Sequence, residues 1–131
     1  MNYDSELAPV TGMPFARDQI FANAVALYPH LIKDAAKAQR ISSTQVDPKE
    51  VFQILTIHEN SSWTAVLVHG VPRVEATLAR GSPVWSMAES INRLLKATGE
   101  MLNMRLRDEL HISSRSITKV SGFGQFNMKF L

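Results

Sequence analysis

The chain of 131 residues contains no cysteine. Disulfide bonds, thiolate zinc sites, iron–sulfur clusters and a cysteine nucleophile are therefore excluded from its chemistry. Residues 1–6 are acidic and lack the basic and apolar regions of a secretory signal. No apolar run approaches the ~20 residues that a membrane-spanning helix needs. We therefore expect an intracellular protein, cytoplasmic or nuclear, that does not associate with membranes.

Recognisable catalytic motifs are also missing. The sequence has no Walker loop, no dinucleotide-binding glycine fingerprint and no nucleophile elbow. His58-Glu59 matches the beginning of a zincin motif, but Ser62 stands where that motif requires its second histidine. Glu59, Glu75 and Asp108 could each approach a histidine in the fold, yet no spacing singles out a catalytic pair. The sequence therefore favours a non-catalytic protein without a metal or a cofactor.

The net charge is small, but the charged residues are unevenly distributed along the chain. The net charge is +2. Residues 1–59 carry five Lys/Arg against seven Asp/Glu, a balance of −2, and residues 60–131 carry nine against five, a balance of +4. A basic half of this kind favours an acidic partner, nucleic acid included, through its electrostatic field. A solvated surface with an uneven charge distribution explains the same pattern.

The length fits one domain, with an N-terminal arm at residues 1–13 and a single α+β domain at residues 14–131. A helical pattern begins at Pro14, a residue suited to the first position of a helix. Pro29 must bend or interrupt this helix, because it lacks an amide hydrogen and clashes with the preceding turn. We therefore predict two helical segments, bent at Tyr28-Pro29 and ending near Arg40. The apolar positions of the first segment predict one buried stripe, formed by Phe15, Ile20, Phe21, Ala24, Leu27 and Tyr28.

Two strand-like runs follow a polar connector. The segment 51–57 is rich in β-branched and aromatic residues, although Asp47-Pro48 before it is typical of a helix start. The turn-forming residues 60–62 and a second β-rich run at 63–69 favour a hairpin over a helix. A turn at residues 60–61 would place His58 opposite Trp63 and His69 opposite Phe52, too far apart for the two histidines to share a metal ion. A third strand is predicted where polar and apolar residues alternate, at 73–80.

The most regular pattern in the chain is a long amphipathic helix predicted at residues 84–110. Opposite charges four residues apart, at Glu89 with Arg93 and at Lys96 with Glu100, support it. An unbroken helix of this length measures about 40 Å, more than the diameter of many small domains. Either Gly99 breaks it, or its far end meets another molecule. Alternating residues from Phe126 to Phe130 predict a terminal strand, so the full expected order is α-β-β-β-α-β around a three-stranded antiparallel meander.

This element order is similar to that of the double-stranded-RNA-binding fold, and residues 81–83 are similar to the segment that precedes the last helix of that fold. Members of that family open their last helix with lysines that contact phosphates. The corresponding residues here are Val84-Trp85-Ser86-Met87-Ala88-Glu89. Because the main phosphate contact is missing, the resemblance is one of element order, which by itself carries little functional weight.

The preferred functional hypothesis is a non-catalytic protein-protein interaction module that forms a homodimer or binds another protein through the long helix. Adaptable methionine-rich surfaces often bind partners. The candidate interface residues are Met87, Leu94, Met101, Leu102, Met104, Phe123 and Phe126.

Two alternatives remain open. A nucleic-acid-binding domain would use the basic C-terminal half, with candidate contacts at Arg73, Arg80, Arg93, Lys96, Arg105 and Arg107. A small ligand-binding protein or enzyme would hold its ligand between sheet and helices, in a pocket lined by Tyr28, Trp63 and Trp85.

Overall fold

The computed structural model describes residues 6–9, 12–109, 120–121 and 124–126. These residues form an α+β fold, which confirms the predicted fold class. The strands are β1 (Glu6–Pro9), β2 (Phe52–Glu59), β3 (Ser62–His69), β4 (Ala76–Gly81), β5 (Val120–Ser121) and β6 (Gly124–Phe126). The helices are α1 (Pro14–Leu27), α2 (Pro29–Gln39) and α3 (Met87–Glu109), with short 3₁₀ turns at Ser43–Gln45 and Pro48–Glu50.

The strands form one antiparallel sheet in the order β1-β2-β3-β4-β6-β5. The pair β2–β3 is the predicted hairpin, with His58 opposite Trp63 and Phe52 opposite His69. Asn60 and Ser61 form the turn with positive φ angles of 52° and 68°. Two consecutive residues with positive φ are typical of the tight turn whose twist matches that of the two strands. The predicted register is therefore confirmed, and residues 52–57 of the segment 51–57 belong to a strand, whereas Val51 ends the 3₁₀ turn before it.

The third strand is shorter than the sequence pattern predicts. It begins at Ala76, and Val74 is 43% exposed in the loop before it. The register between β3 and β4 shifts at Leu67/Val68, so that Leu78 is an extra residue on β4. Leu78 and Ala79 are both buried as a result. A β-bulge of this kind breaks the two-residue period from which the strand was predicted.

Both ends of the chain contribute strands. Glu6–Pro9 pairs with β2 from His58 to Leu55, so part of the predicted N-terminal arm is an edge strand of the sheet. At the other end, β6 pairs with β4 and shares only Phe126 with the terminal strand predicted from Phe126 to Phe130. The rest of the alternating segment, residues 127–131, lies outside the described residues.

The helices follow the predicted plan with one change at the start of α3. α1 and α2 are separated by Tyr28, as the proline at position 29 requires. α3 continues through Gly99 for 23 residues, about 34 Å at 1.5 Å per residue. It begins at Met87 and not at Val84, because Val84 pairs with Trp63 in an isolated β-bridge. Ser86 caps the helix by accepting a hydrogen bond from the Glu89 amide at 3.1 Å.

Tyr28 lies fully buried at the centre of the core, between helices and sheet. Its ring centroid is 6.3 Å from that of Phe52, and its hydroxyl is 3.5 Å from the Leu78 carbonyl oxygen. Burial raises the pKa of the Tyr28 phenol well above its ordinary value, while the positive charge of Arg105 acts in the opposite direction. Tyr28 is therefore a core residue and not the wall of an open pocket.

The Tyr28 environment predicts a loss of stability at alkaline pH. Because the folded-state pKa is raised, the stabilising contribution is fully present below the unfolded pKa of about 10 and is lost as pH rises beyond it. The Tyr28→Phe variant is expected to lose this part of the decline, since phenylalanine cannot ionise. Urea unfolding of both proteins below and above pH ~10 measures the difference. Identical declines in the two proteins would contradict the prediction.

Candidate protein-interaction face

Helices α1 and α3 pack side by side and run in the same direction. At the C-terminal end of α1, the Arg105 guanidinium donates hydrogen bonds to the carbonyl oxygens of Leu27 at 2.6 Å and Ala26 at 3.3 Å. These carbonyls are unpaired within α1 and carry the negative end of its dipole, so a cation stabilises them. At the other end, the first turn of α1 adjoins Asn92 and Leu95 of α3. The two helices therefore present a common outer surface.

A buried polar network sets the register between α1 and α3. The Gln19 amide donates to Asn23 Oδ1 at 3.1 Å, and Asn23 Nδ2 donates to Thr98 Oγ1 at 3.0 Å. The Thr98 hydroxyl donates to the Leu94 carbonyl at 3.1 Å. Asn23 and Thr98 are 5% and 0% exposed, so displacing one helix along the other would leave these groups unsatisfied. The two helices thus form a rigid platform.

The outer surface of this platform, which we call the two-helix face, is mostly uncharged, with Asp18 and Lys96 at its edges and Arg105 between the two helices at its C-terminal end. Its residues recur at three- and four-residue spacings, which places them along one side of each helix. Each of them is partly or fully exposed. From α1 the face contains Phe15, Gln19, Ala22 and Ala26, and from α3 it contains Ala88, Asn92, Leu95, Gly99, Leu102, Asn103 and Leu106.

Two apolar side chains project from opposite ends of the two-helix face. Phe15 is 92% exposed at the N-terminal end, and Leu106 is 48% exposed at the C-terminal end. Small residues, Ala22, Ala26 and Gly99, lie between them. Beside Phe15 is a shallow groove of about 430 Å³, lined by Met13, Pro14, Phe15, Ala16, Asn92 and Leu95. The face therefore has protruding apolar side chains at its ends and an apolar groove beside one of them.

The adjoining side of α3 is of the opposite kind. It carries Glu89, Arg93, Lys96, Glu100 and Arg107. Glu89 and Arg93 form an ion pair at 3.7 Å across one helical turn. A charged side of this composition is typical of a helix surface in contact with water. α3 thus has one side in the core, one charged side and one side on the two-helix face. The third side is exposed although it is largely apolar.

The predicted interface residues do not share one surface. Leu94, Met101 and Phe126 are 0%, 4% and 8% exposed in the core, so they cannot meet a partner without unfolding. Met87 and Met104 are at least partly exposed but lie off the two-helix face, and Phe123 lies outside the described residues. Of the six that the structure describes, only Leu102 belongs to the face.

Sequence reasoning missed the most exposed residue of the face. It assigned Phe15 to the buried stripe of α1, yet the buried positions of this helix centre on Ile20, Ala24 and Leu27. With 100° of rotation per residue, Phe15 lies far around the helix from them. Helical geometry alone could therefore have identified Phe15 as exposed.

The predicted nucleic-acid contacts are scattered. Arg80 pairs in register with Val66, whose side chain lies in the cluster on the sheet face away from the helices. Arg105 donates to the end of α1, and Arg93 pairs with Glu89. Arg73 lies in the loop before β4, whereas Lys96 and Arg107 lie on the charged side of α3. The six cations therefore form no single basic surface.

The aromatic residues of the pocket hypothesis are separated as well. The Trp63 ring stacks on the His58 imidazole, with centroids 4.1 Å apart and planes within 8°. Trp85 is 80% exposed, whereas Tyr28 is buried. Within the described part of the chain, no three His, Asp or Glu side chains come together as a metal site would require.

Comparison of the chain with protein-family models, curated proteins and solved structures finds no significant match. Within the described residues, no helix combines the length and apolar character required to cross a membrane. The argument for function therefore rests on the two-helix face.

Proposed function

We propose that the protein is a non-catalytic interaction module that forms a homodimer through the two-helix face. The observation that carries this proposal is the 92% exposure of Phe15 at the edge of a continuous, mostly uncharged surface. A contiguous apolar patch on a protein surface often marks a site that binds another molecule. Aromatic side chains are also the residue type that most often anchors protein interfaces.

The size of the face is that of a small dimer interface. A standard interface removes about 800 Å² of surface from each partner, with a lower limit of about 600 Å². The two helices lie 8–10 Å apart and are ~34 Å and ~21 Å long, so they offer a flat area of roughly 550 Å². The face is therefore close to the lower limit of a standard interface.

The chemistry of the face favours a second copy as the partner. Charged residues are depleted at the centres of protein interfaces, and those near this face lie at its edges or, as Arg105 does, bind the end of α1. A surface with apolar projections and apolar hollows is complementary to a second copy of itself, and it offers an acidic or basic partner few counter-charges. A two-fold axis brings the same patch of both subunits together, as in most homodimers.

Substitution of Phe15 tests the proposal. The Phe15→Ser variant is expected to raise the dimer dissociation constant by roughly 10- to 100-fold, because the aromatic anchor is removed. The variant should keep its fold, because the Phe15 side chain is exposed and does not pack in the core. Val74→Ser is the matched control, because Val74 is also exposed but lies in the loop before β4.

Light scattering across a dilution series measures the mass of each protein, and circular dichroism confirms that the variants are folded. Dimer formation by the unmodified chain and Val74→Ser, with dissociation of Phe15→Ser, is the expected outcome. Equal self-association of all three proteins would contradict the two-helix face as the interface.

A further inference from the structure

The turn end of the β2–β3 hairpin carries an aromatic stack that takes no part in the two-helix face. His58 and Trp63 stand opposite each other in the strand register. Their ring centroids are 4.1 Å apart and their planes lie within 8° of parallel. Cross-strand pairs of aromatic side chains stabilise a sheet. In this pair one of the two rings is an imidazole, which can gain a proton and a positive charge.

The charge of the imidazole changes the strength of such a stack. A cation held over an aromatic face is attracted by the negative charge of that face, and indole attracts cations most strongly of the aromatic side chains. Histidine gains its charge as the pH falls from about 8 to about 5. His58 and Trp63 are both partly exposed, so a proton on His58 does not leave a charge buried in the core. The stack is therefore stronger when His58 is protonated.

The stack lies at a junction of three segments. The Trp63 amide donates to the Val84 carbonyl oxygen at 2.7 Å, and the Val84 amide donates to the Trp63 carbonyl oxygen at 2.9 Å. Val84 is two residues before Ser86, which caps α3. On the other side, His58 pairs with Glu6 of β1. The hairpin thus holds the segment before α3 through one residue of the stack and β1 through the other.

We propose that the His58–Trp63 stack is a pH-responsive clamp at this junction, which protonation of His58 tightens. Its contribution to stability is fully present while His58 is protonated and declines as the pH rises and the proton is lost. Two acidic residues are close in sequence or register. Glu59 follows His58 in the strand and therefore lies on the opposite face of the sheet. Glu6 stands opposite His58, so its negative charge is the alternative source of the same pH dependence.

A double-mutant cycle separates the stack from every other titrating group. The unmodified chain, His58→Gln, Trp63→Leu and the double variant are unfolded in urea at about pH 5 and about pH 8, at one protein concentration. The coupling between the two positions is expected to be larger at the lower pH, by about 2- to 5-fold in the unfolding equilibrium constant. The excess should persist when all four proteins also carry Glu6→Gln, since the indole and not the carboxylate is its source.

Fluorescence gives a second readout that does not require Trp63 to be replaced. Trp85→Phe leaves Trp63 as the only tryptophan, and the fold should tolerate it because Trp85 is 80% exposed. The Trp63 emission is expected to fall on acidification, because a stacked imidazolium quenches an indole. The same protein with His58→Gln is the matched control and should show no such fall.

A larger coupling at the lower pH that survives Glu6→Gln, together with quenching that requires His58, is the supporting result. Equal coupling at the two pH values, or a larger one at the higher pH, would overturn the clamp. Loss of the excess in the Glu6→Gln background would assign the pH dependence to the carboxylate and overturn it as well. If Trp63→Leu does not fold, emission that is independent of His58 decides against the proposal.

Discussion

Leu94→Ala is expected to lower the free energy of unfolding by about 2–5 kcal/mol, because it leaves a cavity in a packed core. Leu94 is 0% exposed beneath α3. Its neighbour Leu95 is only partly buried and belongs to the two-helix face. Leu95→Ala should therefore cost the single chain about 1 kcal/mol or less. Urea unfolding followed by circular dichroism measures both losses.

Both leucine variants are best compared in a protein that also carries Phe15→Ser and does not self-associate. Leu95 lies in the proposed interface, so in a dimer its substitution would change both self-association and the stability of the single chain. In that background, a large loss for Leu94→Ala and a small one for Leu95→Ala would establish which side of α3 faces the core. Equal losses would show that α3 is rotated relative to the arrangement described here.

Substitution of Gly99 is expected to have the largest effect on the dimer. Gly99→Arg should raise the dissociation constant by roughly 100-fold or more, because it places a charge in the middle of the proposed interface. The fold should tolerate the change, since Gly99 is partly exposed and a Cβ there has room. Sedimentation equilibrium measures the dissociation constant, and circular dichroism checks the fold.

Gly99→Ala provides the more discriminating comparison, because its two effects differ in sign. Alanine favours the helix by about 1 kcal/mol, so the single chain should become more stable. The added methyl group should at the same time weaken the dimer by holding the partner's surface away from α3. A variant that gains stability and dimerises as well as the unmodified chain would exclude Gly99 from the contact.

Local signals account for the parts of the fold that the sequence predicted. The hairpin register follows from the turn at Asn60-Ser61, since the turn position alone determines which residues face each other. The separation of α1 from α2 follows from Pro29, which cannot continue a helix. These features depend on residues close together in the chain.

Features that depend on distant residues were not predictable in the same way. β1 has four residues, too few to show an alternating pattern, and is a strand because β2 offers it an edge. Val84 leaves the helix because Trp63 pairs with it. The bulge at Leu78 is set by the pairing of β3 with β4 and leaves no mark on composition.

The candidate site shows the same division. The sequence predicted that α3 is amphipathic, but not which of its apolar residues face the sheet. Leu94 and Met101 pack into the core, whereas Leu102 and Leu106 remain partly exposed. Only the position of the sheet and of α1 distinguishes these pairs, so the two-helix face became visible with the tertiary structure.

Dimer formation by the unmodified chain is the central claim, and its mass in solution tests it most directly. Size-exclusion chromatography with light scattering, recorded at 260 and 280 nm, gives the mass and the nucleic-acid content together. The account predicts a protein-only peak at twice the chain mass that persists in high salt. A peak at the mass of one chain at the highest attainable concentration would contradict it, as would a heavier peak rich in 260 nm absorbance that disappears in high salt.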